Sequence, residues 1–288
     1  LFKRWLPVDL YVGGQEHAVL HLLYARFWHR FLYDIGVVPT KEPFYKVVNQ
    51  GMILGPNGEK MSKSRGNVIN PNEIVEELGG DTLRLYEAFM GPLTATMPWS
   101  NEGLMGCRKW LDRVYNLFTN NEREIVDDEK NVSQELVKAY HQFIKEATDA
   151  IEIYHFNIGI SKMMVYINAC YKTNKLLKSH LVGFLSVLSC FAPFIAEHLY
   201  QELIGKKQSI TKLSWPKYDK KQLVVSTYTL PIQINGKLRD TFEAPVDASE
   251  DELTKLALNC DGVKRHIEGK EIKRVIVVKG KIVNIIAL

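Results

Sequence analysis

Hydrophobic and polar positions divide the chain into three stretches with different periods. In residues 1–100 the patterns are mixed. "VDLYVGG" (8–14) reads as a short strand run ending in a glycine turn. "QEHAVLHLLYARFWHRFLYDIG" (15–36) reads as one long, largely apolar helix that stops at Gly36. "YKVVNQGMIL" (45–54) predicts a second, buried strand leading into a polar loop. Beyond the loop, Asn70 is a candidate N-cap, Pro71 fits the first helical position and Glu73 the acidic third. That helix should end at Gly79-Gly80, with Asp81 capping the next, "DTLRLYEAFMG". Strand, helix, strand, loop, helix is an α/β order with too few strands for a closed sheet.

Residues 101–215 read as helical throughout. Leu136, Tyr140, Phe143, Ala147, Ala150 and Tyr154 alternate spacings of four and three, which makes one apolar stripe. Two further apolar helices, at about 158–178 and 181–204, can pack on it as an antiparallel bundle. "SWPKYDKKQ" (214–222) has the composition of a linker. From about 223 the period becomes two. Leu230, Ile232 and Ile234 share a face, Asn235-Gly236 signals a hairpin, and Ser249 with Glu252 forms a capping box. "IKRVIVV" and "IVNIIAL" complete a small β-β-α-β-β domain over 223–288. The predicted class is mixed α/β and α+β.

Composition changes this picture little. A length of 288 residues suggests two or three domains, and 46% hydrophobic with 24% charged residues supports real cores. No apolar run reaches the roughly 18 residues of a membrane span. The richest, "LVGFLSVLSCFAPFIAEHL", is interrupted by Gly183, Ser186, Ser189 and Pro193. There is no secretory leader pattern. Cys107, Cys170, Cys190 and Cys260 lack a CxxC or Cys/His ligand spacing, which points away from zinc or a disulfide framework and towards a reducing cytosol. A net charge of +4 permits an acidic partner without requiring one.

Candidate chemistry concentrates in "GPNGEKMSKSRGNVINP" (55–71). Lys60 and Lys63 can place two ammonium groups near a polyphosphate. Ser62, Ser64 and backbone N–H groups around Gly58 and Gly66 can add neutral donors. Such donors act where charge develops as a nucleophile displaces pyrophosphate. A solvated loop with ordinary lysines is the plain alternative. His17 and His21 lie four apart after Gly13-Gly14. As chemistry alone they are two ordinary helical histidines or a metal pair, although no third ligand stands at a convincing spacing.

The string Lys60-Met61-Ser62-Lys63-Ser64, followed by "RGNVINP", resembles the KMSKS signature of class I aminoacyl-tRNA synthetases. "DLYVGGQEHAVLHLLYARFWHRFL", "NPNEIVEELGGDTLRLYEAFMGPL", "PWSNEGLMGCRKWLDRVYNLF" and the tail "RHIEGKEIKRVIVVKGKIVNIIAL" resemble the leucyl-tRNA synthetases within that class, so the likeness covers nearly the whole chain. It implies the C-terminal part of a Rossmann-type catalytic domain over 1–100, an anticodon-binding-type bundle over 101–215 and a tRNA-binding domain over 223–288. It also implies activation of leucine by ATP, with Mg2+ carried by the nucleotide rather than by a protein cage, and transfer to tRNA(Leu). Lys63 would be the principal phosphate contact and Lys60 its assistant, with Met61 anchoring the loop and Ser62 and Ser64 facing the nucleotide. Gly13, Gly14 and Glu16 would line the adenosine site, and His17 and His21 the leucine pocket. Trp99 and Trp110 read as core. Arg108 and Arg113 are offered to the tRNA backbone. So is the basic run Lys264, Arg265, Lys270, Lys273, Arg274, Lys279 and Lys281, set against Glu268 and Glu271.

The likeness departs from the family pattern in two ways. No HIGH-type sequence, amino-acid-recognition strand or editing insertion is present, and the extra leucine-specific insertion before the lysine loop is absent. With the start on Leu1, this reads as a C-terminal piece whose partner is the missing N-terminal half of the same enzyme, and which is inactive alone. Two other readings stand beside it: a non-catalytic tRNA-binding module with a vestigial loop, and a sister class I enzyme for valine, isoleucine or methionine.

Overall fold

A computed structural model describes residues 1–205, 208–223, 227–245 and 248–288. Parts of two expected regions, 206–207 in the helical stretch and 224–226 and 246–247 in the period-two stretch, lie outside the described residues.

After a one-turn helix α1 (Phe2–Trp5), strand β1 (Tyr11–Gly14) leads into helix α2 (His21–Asp34). The single helix expected over 15–36 is instead two pieces. Gln15–Val19 tightens into a 3₁₀ turn, and Leu20 leaves helical space at φ −116°, ψ −96°. The reason is a change of ladder. Leu20 N–H bonds His17 O three residues back, whereas Tyr24 N–H bonds Leu20 O four back.

The buried strand expected over 45–54 is likewise two short strands. β2 (Val47–Gln50) pairs in parallel with β1, and β3 (Ile53–Leu54) belongs to another pair. Gly51 causes the break. Its N–H bonds Leu93 O, and a Cβ there would stand 1.9 Å from the Ala95 carbonyl oxygen, so only glycine lets the two segments cross. β2 is also mostly exposed rather than buried.

Helices α3 (Pro71–Leu78) and α4 (Gly80–Phe89) follow the lysine loop, then β4 (Met97–Pro98), the parallel partner of β3. Asn70 Oδ1 caps α3 by accepting Asn72 N–H, with Pro71 in the first turn as the sequence predicts.

Helix α5 (Asn101–Thr119) opens the bundle. It continues through β5 (Glu124–Val126), α6 (Gln134–Glu152), α7 (Phe156–Tyr171), β6 (Lys175–Leu177), α8 (Lys178–Leu188) and α9 (Pro193–Ile204). Residues 101–215 are therefore not helical throughout, because β5 and β6 form a short parallel pair. The expected helix over 181–204 is two helices, with Pro193 starting the second. On α6 the predicted stripe is buried from Leu136 to Ala150. Tyr154 falls past the helix end at φ +63°. Phe143 stacks on Tyr166 and Phe184 meets both rings at a tilt in the core, where Trp99 and Trp110 are also buried.

Asp81 does not cap α4, which begins one residue earlier. Its carboxylate accepts the N–H groups of Phe194 (3.2 Å) and Ile195 (2.7 Å), capping α9 more than a hundred residues away. These bonds tie the segment 1–100 to the bundle within one compact unit, Leu1–Gln222.

The second unit, Leu223–Leu288, contains β7 (Thr227–Ile234), β8 (Lys237–Pro245), α10 (Glu250–Asn259), α11 (Asp261–Ile267), β9 (Ile272–Val278) and β10 (Ile282–Ala287). Its sheet order is β8-β7-β10-β9, with β10 parallel to β7. Asn235 and Gly236 both take positive φ, the two-residue hairpin geometry their sequence signals. Leu230, Ile232, Ile234, Val283 and Ile285 bury one sheet face with Leu253, Ala257 and Val263 from the helices. The Ser249–Glu252 capping box is present. One helix more than expected occurs, because Cys260 turns to an extended conformation between α10 and α11.

Candidate functional site

The lysine loop is fastened at both ends. Gly55 N–H bonds Glu59 O and Gly58 N–H bonds Gly55 O, which closes a tight turn. Lys60 then bridges back to Leu54 at the end of β3. Beyond it, Ser62 N–H donates to Asn67 Oδ1 at 2.8 Å, and Asn67 Nδ2 donates to Lys60 O at 3.3 Å. Lys63–Arg65 forms one 3₁₀ turn that exits through Gly66 at φ +65°. Arg65 pairs with Glu59 at 3.1 Å, and the half-buried Met61 packs on the main core.

Part of the expected donor set is thereby engaged within the loop: both turn-glycine N–H groups and one of the two serine O–H groups. The N–H groups of Gly58 and Gly66 bond Gly55 O and Lys63 O, because tight turns close on their own carbonyls. The Ser62 and Ser64 hydroxyls bond each other at 2.8 Å. Lys60 and Lys63 remain exposed, and among the described residues neither makes an ion pair. Asn67, the residue that holds the loop's shape, escapes a reading of the lysine string alone; its only signal is an amide side chain directly after a turn glycine.

A second feature lies at the β1–β2 pair, two residues before β3 along the chain. Gly13, Gly14, His17 and His21 line a cavity of about 320 Å³ together with Tyr11, Asn49 and the apolar Val12, Leu22 and Val47. Gly13 is open to the cavity, with nothing within 4 Å of a would-be Cβ. Glu16 folds back so far that a Cβ on Gly14 would meet its carboxylate at 2.2 Å. His17 Nε2 stands 3.8 Å from Glu16 Oε1, and the rings of His17 and His21 lie 6.3 Å apart, edge to face. The two histidines thus meet although they do not share a helix. Tyr11 hydroxyl hydrogen-bonds His21 Nε2, which orients that ring. Tyr11 and Asn49 are the cavity residues that the pattern of glycines and histidines did not single out.

Helix α2 is held from one side. Arg26 donates two hydrogen bonds to Glu42, at 2.8 and 2.9 Å, and Arg30 donates another. Together they hold the Glu42 carboxyl down at about 2. His29 Nε2 bonds Thr40 O at 2.8 Å. The remaining face carries Leu20, Leu23, Tyr24, Phe27, Trp28 and Phe31, all exposed.

The arginines offered to RNA are engaged within the first unit. Arg108 bonds Asp112 and Leu78 O, while Arg113 donates to Asn168 Oδ1 and lies over the Tyr171 ring. In the second unit Lys264, Arg265, Lys270, Lys273, Arg274, Lys279 and Lys281 are all exposed, and among the described residues none makes an ion pair. They do not form one face. Lys273 and Arg274 are consecutive on β9 and so point to opposite sides.

Residues 2–100 match the family described as tRNA synthetases class I (I, L, M and V). Residues 133–254 match the anticodon-binding domain of tRNA ligase. The chain is thus similar to class I tRNA synthetases in its first hundred residues and to the anticodon-binding domain of tRNA ligase beyond them. Leucine–tRNA ligases of Ureaplasma parvum serovar 3 and Malacoplasma penetrans are 56% and 51% identical to it over 287 residues. Those alignments take in 99% of this chain but 35% of each relative, so the chain spans about a third of their length. A solved ternary complex of Agrobacterium radiobacter K84 agnB2 LeuRS with tRNA and LeuAMS superposes with a TM-score of 0.72 at 32% identity. That match covers 98% of this chain and 38% of the other. Among the described residues no helix is long and apolar enough to cross a membrane.

Proposed function

We propose that this chain is the lysine-loop and tRNA-contacting portion of a cytoplasmic leucine–tRNA ligase. In the full-length protein the leucine carboxylate attacks the α-phosphorus of ATP, pyrophosphate leaves, and the leucyl group of the adenylate passes to tRNA(Leu). The observation that carries this reading is the lysine loop. Lys60 and Lys63 are presented to solvent without acidic partners among the described residues, on a segment whose ends are fixed by β3 and by Asn67. Two free ammonium groups on a rigid support lose little on meeting a triphosphate and gain most as charge builds on the departing pyrophosphate. Mg2+ arrives with the nucleotide. The likeness to leucine–tRNA ligases at 51–56% identity supports leucine as the amino acid.

The cavity beside β1 suits the other substrates. Gly13 allows close approach of an adenine or ribose, and His17 and His21 border an apolar floor of Val12, Leu22 and Val47; Glu16 does not line the cavity but stands 3.8 Å from His17, where it can accept a ribose hydroxyl. The bare apolar face of α2 supports a further partner, catalytic-domain polypeptide of the kind the longer relatives carry. The exposed lysines and arginines of the second unit suit the tRNA backbone.

The test is Lys63→Ala in the full-length protein, measured by leucine-dependent exchange of pyrophosphate into ATP. The exchange rate should fall about 10²–10³-fold, the loss typical of one oxyanion donor. An unchanged rate would overturn the assignment.

A further inference from the structure

Away from the lysine loop, the bundle brings three ligand-type side chains together. Glu129 lies on a 3₁₀ turn before α6, His141 on α6 and His180 on α8. One ring nitrogen from each histidine and a Glu129 carboxylate oxygen lie within 4.8 Å of one another. His180 is 4% exposed, and its Nδ1 is buried without a hydrogen-bond partner. Leaving such an atom unpaired is destabilising, and the arrangement persists only if something offsets it. Packing places the ring firmly. It stacks on Tyr140 at 3.8 Å between centroids and meets the His141 ring edge to face at 5.5 Å.

We propose that Glu129, His141 and His180 bind a divalent transition-metal cation such as Zn2+. Two imidazoles and one carboxylate suit a borderline cation better than Mg2+ or Ca2+, which require oxygen ligands. Ligand bonds of about 2.1 Å in a tetrahedral site set the donor atoms roughly 3.4 Å apart. Closing the cluster therefore takes up to about 1.4 Å of movement, to which the exposed Glu129 side chain can contribute. Water fills the fourth position. Binding has a structural consequence for the segment that follows the bundle. His141 Nδ1 now accepts Asp219 N–H at 3.1 Å. A metal on Nδ1 displaces that donor, and a metal on Nε2 puts a proton on Nδ1, which then needs an acceptor such as the Asp219 carboxylate. In either case the backbone at Asp219 rearranges.

The test titrates the metal-free 288-residue chain with Zn2+ against a chromophoric chelator, and with Co2+ followed by its ligand-field absorption. A His17→Gln/His21→Gln background removes the other histidine pair. One equivalent should bind in that background, with Co2+ bands of a four-coordinate site and a shift of the Asp219 amide resonance. Glu129→Gln and His141→Gln, neither of them a core substitution, should each weaken binding at least about tenfold, because even an outer-sphere partner of a ligand is worth that much. Failure of the background variant to bind Zn2+, or equal binding after Glu129→Gln and His141→Gln, overturns the proposal.

Discussion

Helices α2 and α6 carry the same kind of apolar stripe and meet opposite fates. On α6, Leu136, Tyr140, Phe143, Ala147 and Ala150 are 5% exposed or less, closed over by α7 and α8. At the N-cap and along α2, Leu20, Leu23, Tyr24, Phe27, Trp28 and Phe31 repeat the three-and-four spacing yet are 47–65% exposed. What is fastened on α2 is its charged side, through Arg26, Arg30 and Glu42. Amphipathicity thus fixes which face of a helix wants cover, but only the rest of the fold decides whether cover is present. Burying one such side chain contributes about 1.5–3 kcal/mol, so a six-residue stripe left in water is a strong driving force for association.

The contrast predicts a graded response to substitution. Phe143→Ala removes a ring stacked on Tyr166 and should cost about 3–5 kcal/mol in denaturant unfolding of this chain. Asp81→Ala uncaps α9 from a distance and should cost about 1 kcal/mol, with faster amide exchange at Phe194 and Ile195. Trp28→Ser on the bare stripe should change unfolding of this chain by less than about 0.5 kcal/mol while raising its solubility. In the full-length protein the same change should approach the Phe143→Ala cost. Equal small effects in both contexts would mean that α2 is a true surface.

The smallest effect is electrostatic. Glu42 is held at about 2, below the ordinary carboxylate range, so its tie to Arg26 and Arg30 is complete at neutral pH. The tie should weaken only as the pH falls below that range towards about 2. Carboxyl carbon NMR should show a titration shifted down for Glu42, and loosening of α2 over the same acid window should vanish in Glu42→Gln.

Signals that operate within a few residues were legible in the sequence. The Asn70-Pro71 start, the Ser249–Glu252 box, the Asn235-Gly236 turn and most of the α6 stripe depend on local spacing, and each appears as read. What was not legible depends on distant chain. Gly51 breaks a strand because Ala95 passes against it, Asp81 caps a helix that begins at Pro193, and β5 finds β6 about fifty residues on. At the site, the lysine string marked the loop. Asn67, which shapes it, and Tyr11, which orients His21, show their roles only through contacts.

The bare α2 stripe and the exposed lysine loop carry the proposal that this chain supplies only part of a leucine–tRNA ligase's site. Leucine-dependent pyrophosphate exchange by the 288-residue chain alone, beside the full-length protein, tests that account most directly. Activity confined to the full-length protein is the predicted result; leucine-dependent exchange above background by the chain alone would contradict it.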